Sequence, residues 1–347
     1  MAKYRPDQWT DEELAKLEAR ITEEYGKAWN ELKKKADDYF KTFEKRDKAL
    51  RKALDEGKVK LPAGETADSY YQKWRRNQLA IGKRWDALRD EMARRITECN
   101  KVAAAYVNDI TPGIWSLNRN YECYVMESLD EVAEIGVSFT IFDEQTIRRL
   151  IVNRDKYMLP RYWVAENRDV LWNYRKLQSG LIAGILAGDS IDDIADRFQH
   201  TMSMNRTTAI TWARTAVTGA QNGGRQYAFQ EAHEMGIKVE KKWVATKDMR
   251  TRHSHQELDG EIVPFDLVFS NGLRFPGDPL GKMEEIARCR CTMYNAADRH
   301  LEKEKRMIRV QNPEWENAEP DERSGIPRTV VVGEMNYKEW LKWKQSK

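Results

Sequence analysis

Asp248-Met249-Arg250-Thr251-Arg252-His253-Ser254-His255-Gln256-Glu257-Leu258-Asp259-Gly260 is the densest polar cluster in this 347-residue chain. It sits inside a longer stretch, 205–295, around which the rest is organised. Upstream lies a helical run carrying Arg214, Thr215, Asn222, Gly223, Gly224 and Arg225. Downstream come Pro276-Gly277-Asp278-Pro279 and Cys289-Arg290-Cys291. Beyond Gly236 the helical spacing gives way to β-branched residues, Pro and Gly. Val239–Ala245, Glu261–Val263 and Cys291–Tyr294 therefore read as strands, with Leu258-Asp259-Gly260-Glu261 as a turn. Residues 201–300 are expected to form a small α+β domain. Gly219 and the Gly223-Gly224 pair either weaken the preceding helix or let another backbone pack against it.

Outward from this stretch the chain reads as helix. Thr10 and Glu13 have the spacing of a capping box. Leu14, Leu17, Ile21, Tyr25, Ala28, Leu32, Ala36, Tyr39, Phe43, Leu50 and Leu54 then recur at three- and four-residue steps, the signature of an amphipathic helix. Gly57 is its stop and Leu61-Pro62-Ala63-Gly64 a turn. A second stripe, Tyr71, Trp74, Ile81, Trp85, Leu88, Met92, Ile96, Cys99 and Ala103, returns along the first. Residues 1–110 thus predict a long, charged, antiparallel helical hairpin, the alternative being that one arm pairs with another subunit. Thr111-Pro112-Gly113 is expected to break its second arm. Residues 111–200 form a helical middle region, with a short strand or link at 136–142, an Asp143-capped helix and a short helix after Gly188. Arg148, Arg149, Arg154, Arg161 and Arg168 there read as solvated faces, with an acidic partner or nucleic acid as the alternative. Residues 301–347 read as a polar linker ending in a docking helix with Tyr337, Trp340 and Leu341 on one side. The fold class is mainly α, with the long N-terminal hairpin and the small α+β domain towards the C-terminus.

Composition narrows the function. A charged fraction of 33% against 41% hydrophobic favours long solvated helices. The net charge of only +3 means that any nucleic-acid contact must come from a local patch. Four cysteines do not make a disulfide framework in a chain this long. No apolar leader opens the sequence and no stretch approaches a membrane span. P-loop, dinucleotide, HExxH and GxSxG patterns are absent. Twelve Trp residues read as core anchors.

Two chemistries compete for the polar cluster. His253 and His255 form an H-x-H pair, and Cys289 and Cys291 a C-x-C pair. Imidazole and thiolate are zinc ligands, and a strand would set both members of a pair on one face. The bland alternative is a buried Cys291 and a hydrogen-bonded His255. A metal-dependent nuclease or DNA-processing enzyme would draw on Asp248, His253 and His255, although nothing in the spacing orients a base. Asp248 followed by Arg250 and Arg252 looks more like a loop clamped by ion pairs.

In this order the motifs resemble the phage head morphogenesis family, minor head proteins similar to protein F of phage Mu. The residues carrying the resemblance are Arg214, Asn222, Arg225, Trp243, Asp248, Arg250, Arg252, His255 and Gly260, then Pro276–Pro279, Cys289-Arg290-Cys291 and the terminal Tyr337–Leu341 segment. The resemblance implies a non-enzymatic component of a phage head. It would be assembled in the host cytoplasm and placed near the portal protein. Scaffold or major capsid protein, and phage DNA during packaging or ejection, are further partners that it implies. It gives no catalytic residues and requires no cofactor. Some members look like metal binders, with C-x-x-C before the L-D-G turn and a His before C-R-C. Here Arg252 and His255 stand at the C-x-x-C positions and Ile286 or a neighbour at the His, so His255, Cys289 and Cys291 are the ligand candidates that remain.

Overall fold

The computed structural model describes residues 5–78, 83–129, 132, 135–150, 158–187, 189, 191–298 and 304–346. Ile81, Arg154, Gly188 and Ser190 lie outside them. The chain forms two compact units, one from 1–17, 107–162 and 211–347, the other from 18–106 and 163–210. Both units are therefore assembled from separated segments. They do not follow the four consecutive segments into which composition divides the sequence.

The second unit is helical. α1 (Arg5–Asp55) is 51 residues long, about 76 Å at the helical rise. Leu17, Ile21, Tyr25, Ala28, Leu32, Ala36, Phe40 and Phe43 are its buried stripe, with Phe40 in place of the expected Tyr39. It starts upstream of Thr10, whose hydroxyl is buried and accepts from Asn118 Nδ2 at 3.1 Å. Thr10 is not the N-cap. Gly57 ends the helix as expected, at φ 66°, with the Lys58 N–H reaching back to the Ala53 carbonyl. α2 (Ala67–Arg76) and α3 (Lys83–Glu127) return the chain. Arg95 Nη1 meets Glu24 at 3.1 Å, Arg95 Nε meets Glu31 at 3.1 Å, and Lys35 pairs with Glu91. Rising numbers on α1 oppose falling numbers on α3, so the hairpin is antiparallel.

α4 (Glu144–Leu150), α5 (Glu166–Ala187) and α6 (Ile191–Glu234) follow. Asp143 Oδ1 caps α4 through the Thr146 N–H at 2.6 Å. In the helical unit a line of buried amides ties α1, α3, α5 and α6. Tyr25 donates to Asn100, Asn100 to Asn205 at 2.9 Å, Asn205 to Asn173 at 2.8 Å, and Asn173 to Thr97 at 3.1 Å. Each needs its partner, because an unpaired buried amide is costly. These bonds fix the register that apolar packing alone leaves loose.

One expected break is not a break, and the two readings of the α6 glycines are resolved in favour of close packing. α3 runs on through Pro112, where Thr111, Ile114 and Trp115 are buried; their packing outweighs the one lost backbone bond. α6 is a single 44-residue helix that passes through Gly219, Gly223 and Gly224. Those glycines serve close approach. A Cβ on Gly224 would lie 2.3 Å from the Trp115 carbonyl oxygen, and one on Gly219 2.7 Å from that of Gly277.

The first unit holds the small sheets. β1 (Glu240–Val244), β2 (Ile262–Pro264) and β3 (Thr292–Asn295) form an antiparallel sheet in the order β2-β1-β3, with Trp243 opposite Met293 and Lys241 opposite Val263. α7 (His253–Glu257) and α8 (Met283–Ile286) lie in its connections. Residues 137–143 are an irregular link, not a strand. The stretch read as a linker contains a second sheet, β4 (Arg306–Gln311) paired antiparallel with β5 (Thr329–Met335), with α9 (Pro313–Asn317) between them. Pro313 opens α9, and Pro320 and Pro327 lie in the connection between α9 and β5, so none costs a ladder bond. α10 (Tyr337–Gln345) is capped by an Asn336/Glu339 box and docks as expected. Trp340 is fully buried and donates to Glu127 at 2.7 Å. Among the described residues no helix is long and apolar enough to cross a membrane.

Candidate functional site

Two buried polar clusters lie in the first unit, one on each side of β3. The first is centred on Arg225. Its Nη2 donates to Asp7 Oδ1 at 2.7 Å and Asn118 Oδ1 at 2.8 Å, and its Nη1 donates to Thr292 Oγ1 and the Met293 carbonyl. Its Nε lies 3.7 Å from Glu122. Asp7 also accepts from Tyr294 at 2.5 Å and from Gln221. One turn before Arg225, Asn222 accepts the Met293 N–H at 3.1 Å and donates to the carbonyls of Pro276 and Cys291. Both side chains are completely buried. Asn222 thus behaves as an extra strand edge for β3, and Arg225 joins α1, α3, α6 and β3. Arg214, earlier on the same helix, is half-buried and stands outside this set.

The second cluster is centred on His255. α7 buries this ring against Trp243, with centroids 5.2 Å apart and planes at 79°. Its Nδ1 faces both thiols, Cys289 Sγ at 3.6 Å and Cys291 Sγ at 3.5 Å, and its Nε2 lies 2.9 Å from Glu285 Oε2. The three candidate donors lie within 4.8 Å of one another and all three residues are buried. The Cys291 thiol is held down to about 5, first by the hydrogen bond from Cys289 and then by His255. Cys289 is pushed up by the same bond and by burial.

His253 does not join them. An H-x-H pair shares a face on a strand, but both residues lie in α7, where a two-residue step turns the side chain about 200°. His253 points outward, 83% exposed, 3.4 Å from Glu257.

The loop beside this cluster is clamped. Asp248 takes both guanidinium nitrogens of Arg290, one at 2.6 Å, and accepts the Arg250 N–H at 2.9 Å. The Arg290 bonds hold its carboxyl far below the usual carboxylate range. Arg252 donates to the Ala287 carbonyl and Thr246 to the Arg290 carbonyl at 2.6 Å. The Arg250 side chain is exposed, 3.8 Å from Asp248. Gly260, at φ 92°, makes the turn whose N–H returns to the Trp243 carbonyl at 2.9 Å. Asp248, His253 and His255 thus face three different surroundings and form no common acid–base constellation.

Asp7, Glu122, Glu285 and Lys241 were not singled out from sequence. Lys241 is fully buried, donates to the carbonyls of Phe265 and Arg274 at 2.7 Å, and is pushed down to about 8 by burial. The one advance signal was its place in a strand whose alternate residues had to face inward. Asp7 lies 218 residues from Arg225, and nothing local marks it.

Two edges of the donor set around His255 match those of a zinc tetrahedron. Zn–S and Zn–N bonds of ordinary length give a tetrahedral S···N edge of roughly 3.5 Å, and the two S···N distances are 3.5 and 3.6 Å. A carboxylate on the far imidazole nitrogen, the place of Glu285, is the usual support for a ligating His. No fourth Cys, His, Asp or Glu joins the group among the described residues.

Residues 175–294 match the model of the family described as phage Mu protein F like protein. The chain is also 23% identical over 327 residues to the minor head protein GP7 of Bacillus phage SPP1, a match covering 91% of this chain and 97% of that one. A shorter match, 34% identical over 135 residues, is to the NAD(+)–arginine ADP-ribosyltransferase EFV of Enterococcus faecalis. It covers 37% of this chain but only 28% of that protein. No solved structure matches the chain. Over residues 175–294 the chain is thus similar to the phage Mu protein F like family, and over most of its length to a phage minor head protein. Both buried clusters draw on the matched segment.

Proposed function

We propose that this protein is a portal-associated minor head protein that takes part in procapsid assembly, with no catalytic activity of its own. The observation that carries this reading is the near end-to-end match to a phage minor head protein. The site geometry supports it. Asp248, Arg252, His255 and Asn222 are each committed to bonds that join separate elements, which suits a rigid anchor better than a reacting centre. The relative named as an ADP-ribosyltransferase shares only a segment with this chain, and that activity is said of the whole enterococcal protein. Portal protein is the first partner, with scaffold or major capsid protein as neighbours in the same shell, and the assembled virion is the destination.

Pull-down of portal protein from procapsids should recover this chain in a fixed ratio. A chain absent from both procapsids and virions would end the reading. The nuclease alternative predicts cleavage of DNA with Mg²⁺, Mn²⁺ or Zn²⁺ that His255→Ala abolishes.

Zinc, if held, would sit between His255 Nδ1 and the sulfurs of Cys289 and Cys291, as a structural tie between α7 and the approach to β3. Elemental analysis of the purified chain tests this. One zinc per chain, lost in Cys291→Ser, supports the site; a folded, metal-free chain after exposure to excess zinc removes it.

A further inference from the structure

The sheet of β4 and β5 has an open side. Among the described residues β5 has β4 as its one strand neighbour. Its middle, Val330-Val331-Val332, is apolar and faces water: Val331 is 54% exposed and the valines beside it 37% each. Which backbone groups point outward follows from the ladder. The Asn312 N–H donates to the Arg328 carbonyl at 2.9 Å, and Gln311, Val310 and Arg309 then face Thr329, Val330 and Val331 in turn. Antiparallel pairs alternate between exchanging bonds and not. Val330 therefore turns its N–H and C=O to β4, while Thr329 and Val331 turn theirs outward.

An open edge is a template for another strand, and natural edges are guarded by Lys, Pro or inward charges. Between Thr329 and Gly333 β5 carries none of these. A bulge at Val332, where Ile308 faces Gly333 and Arg309 faces Val331, is the one guard present. It leaves the Val332 side chain exposed. Met307, on the same face of the ribbon as Val331, is exposed too. The edge is also self-complementary. The run Val330-Val331-Val332 is symmetric about Val331. A two-fold axis there sets valine against valine, and β-branched side chains pair well across strands. The nearest charges on either side have opposite signs. Glu334, three residues after the centre, falls beside Arg328 of the other copy, three residues before it. Both are exposed, and Glu334 has no ion pair among the described residues.

We propose that β5 pairs antiparallel with β5 of a second copy, joining two ribbons into one sheet about a two-fold axis at Val331. The two Val331 residues exchange both backbone bonds. The contact is isologous, so it closes at a dimer. A strand from a different protein also fits an open edge, but the symmetric valine run and the opposed Glu334 and Arg328 favour the like strand. The inference does not depend on the portal contact. The edge is short, so the dimer is expected to be weak, with a dissociation constant on the order of 10 µM.

The test is sedimentation velocity of the full chain over a range of concentration. The parent should move from one chain mass to two across that range. Val331→Lys and Val331→Glu each set like charges opposite one another at the axis, and each should raise the dissociation constant at least about tenfold. Val331 is exposed in the single chain, so both variants should fold, which circular dichroism and thermal melts check. Mixed in equal amounts, the two variants should recover the doubled mass, because Lys then faces Glu. That recovery separates pairing at this edge from association elsewhere. Val331→Pro removes the outward N–H without touching a bond to β4, and it should also stay single. The proposal is overturned if the parent remains one chain at about tenfold the expected constant, if Val331→Lys dimerises like the parent, or if the Lys and Glu mixture stays single. A parent that stays single while Val331→Lys loses portal protein from procapsid pull-downs also overturns it and gives the edge to a foreign strand. Procapsid recovery of the parent is measured separately, so failure here leaves the minor head reading standing.

Discussion

Arg225→Met should cost about 3–5 kcal/mol, since removing one member of a buried charge group strands the others. That is a large share of the roughly 5–15 kcal/mol that stabilises a domain, so little soluble, folded protein is expected. Arg225 is fully buried and is bonded to Asp7, Asn118, Thr292 and the Met293 carbonyl. Met fills similar volume, so the loss reads the charge and its hydrogen bonds rather than a cavity.

Glu122→Gln probes the same cluster with the opposite sign. Burial pushes the Glu122 carboxyl up to about 8, with the Arg225 charge opposing. The folded state therefore holds this proton more tightly than the unfolded chain. The resulting stabilisation is complete below the ordinary Glu value of about 4.3 and is lost as pH rises through about 8. The parent should show a falling Tm between mildly acidic and alkaline pH. Glu122→Gln, neutral at every pH, should flatten that fall. Thermal melts across the range check both variants. An Arg225→Met chain that melts within a few degrees of the parent would show that the cluster is not a structural hub.

Trp243→Ala should cost about 3–5 kcal/mol, the usual range for truncating a buried Trp. Trp243 has no exposed surface and contacts the rings of His255 and Phe269 with centroids 5.2 and 5.0 Å apart. Its backbone also bonds Gly260 and Glu261. Its indole N–H has no acceptor among the described residues. Trp243→Phe keeps the ring contact and removes that buried donor, so it should cost far less than Ala. Chemical denaturation of the two variants separates the effects. Equal losses would mean that the polar end of the ring matters and that an acceptor, such as a water, occupies the site.

The order of these effects bears on how the chain is read. Trp243 was singled out as a motif residue, and a Trp in an alternating strand has few roles besides core. Arg225 was singled out too, but its partners were not. A sequence shows that a buried-looking arginine needs anions; it does not show which anions arrive. The same holds at His255, where the thiols were foreseen and the Glu285 carboxylate was not. His253 is separated from His255 for a local reason. A strand period sets alternate residues on one face and a helical period separates them, and a five-residue helix is too short to announce its period.

The sequence by itself determined the long amphipathic helices, the three short strands of the matched segment and the terminal docking helix. These follow from local rules, in which side-chain spacing meets a fixed helical or strand period. Tertiary structure alone decided that α3 continues through Pro112 and α6 through its glycines, and that 306–335 closes into a hairpin. It also decided that Asp7 meets Arg225 across 218 residues. In each of these the deciding energy is packing or charge pairing between segments distant in sequence. A contact of that kind leaves no mark on the spacing of neighbouring residues.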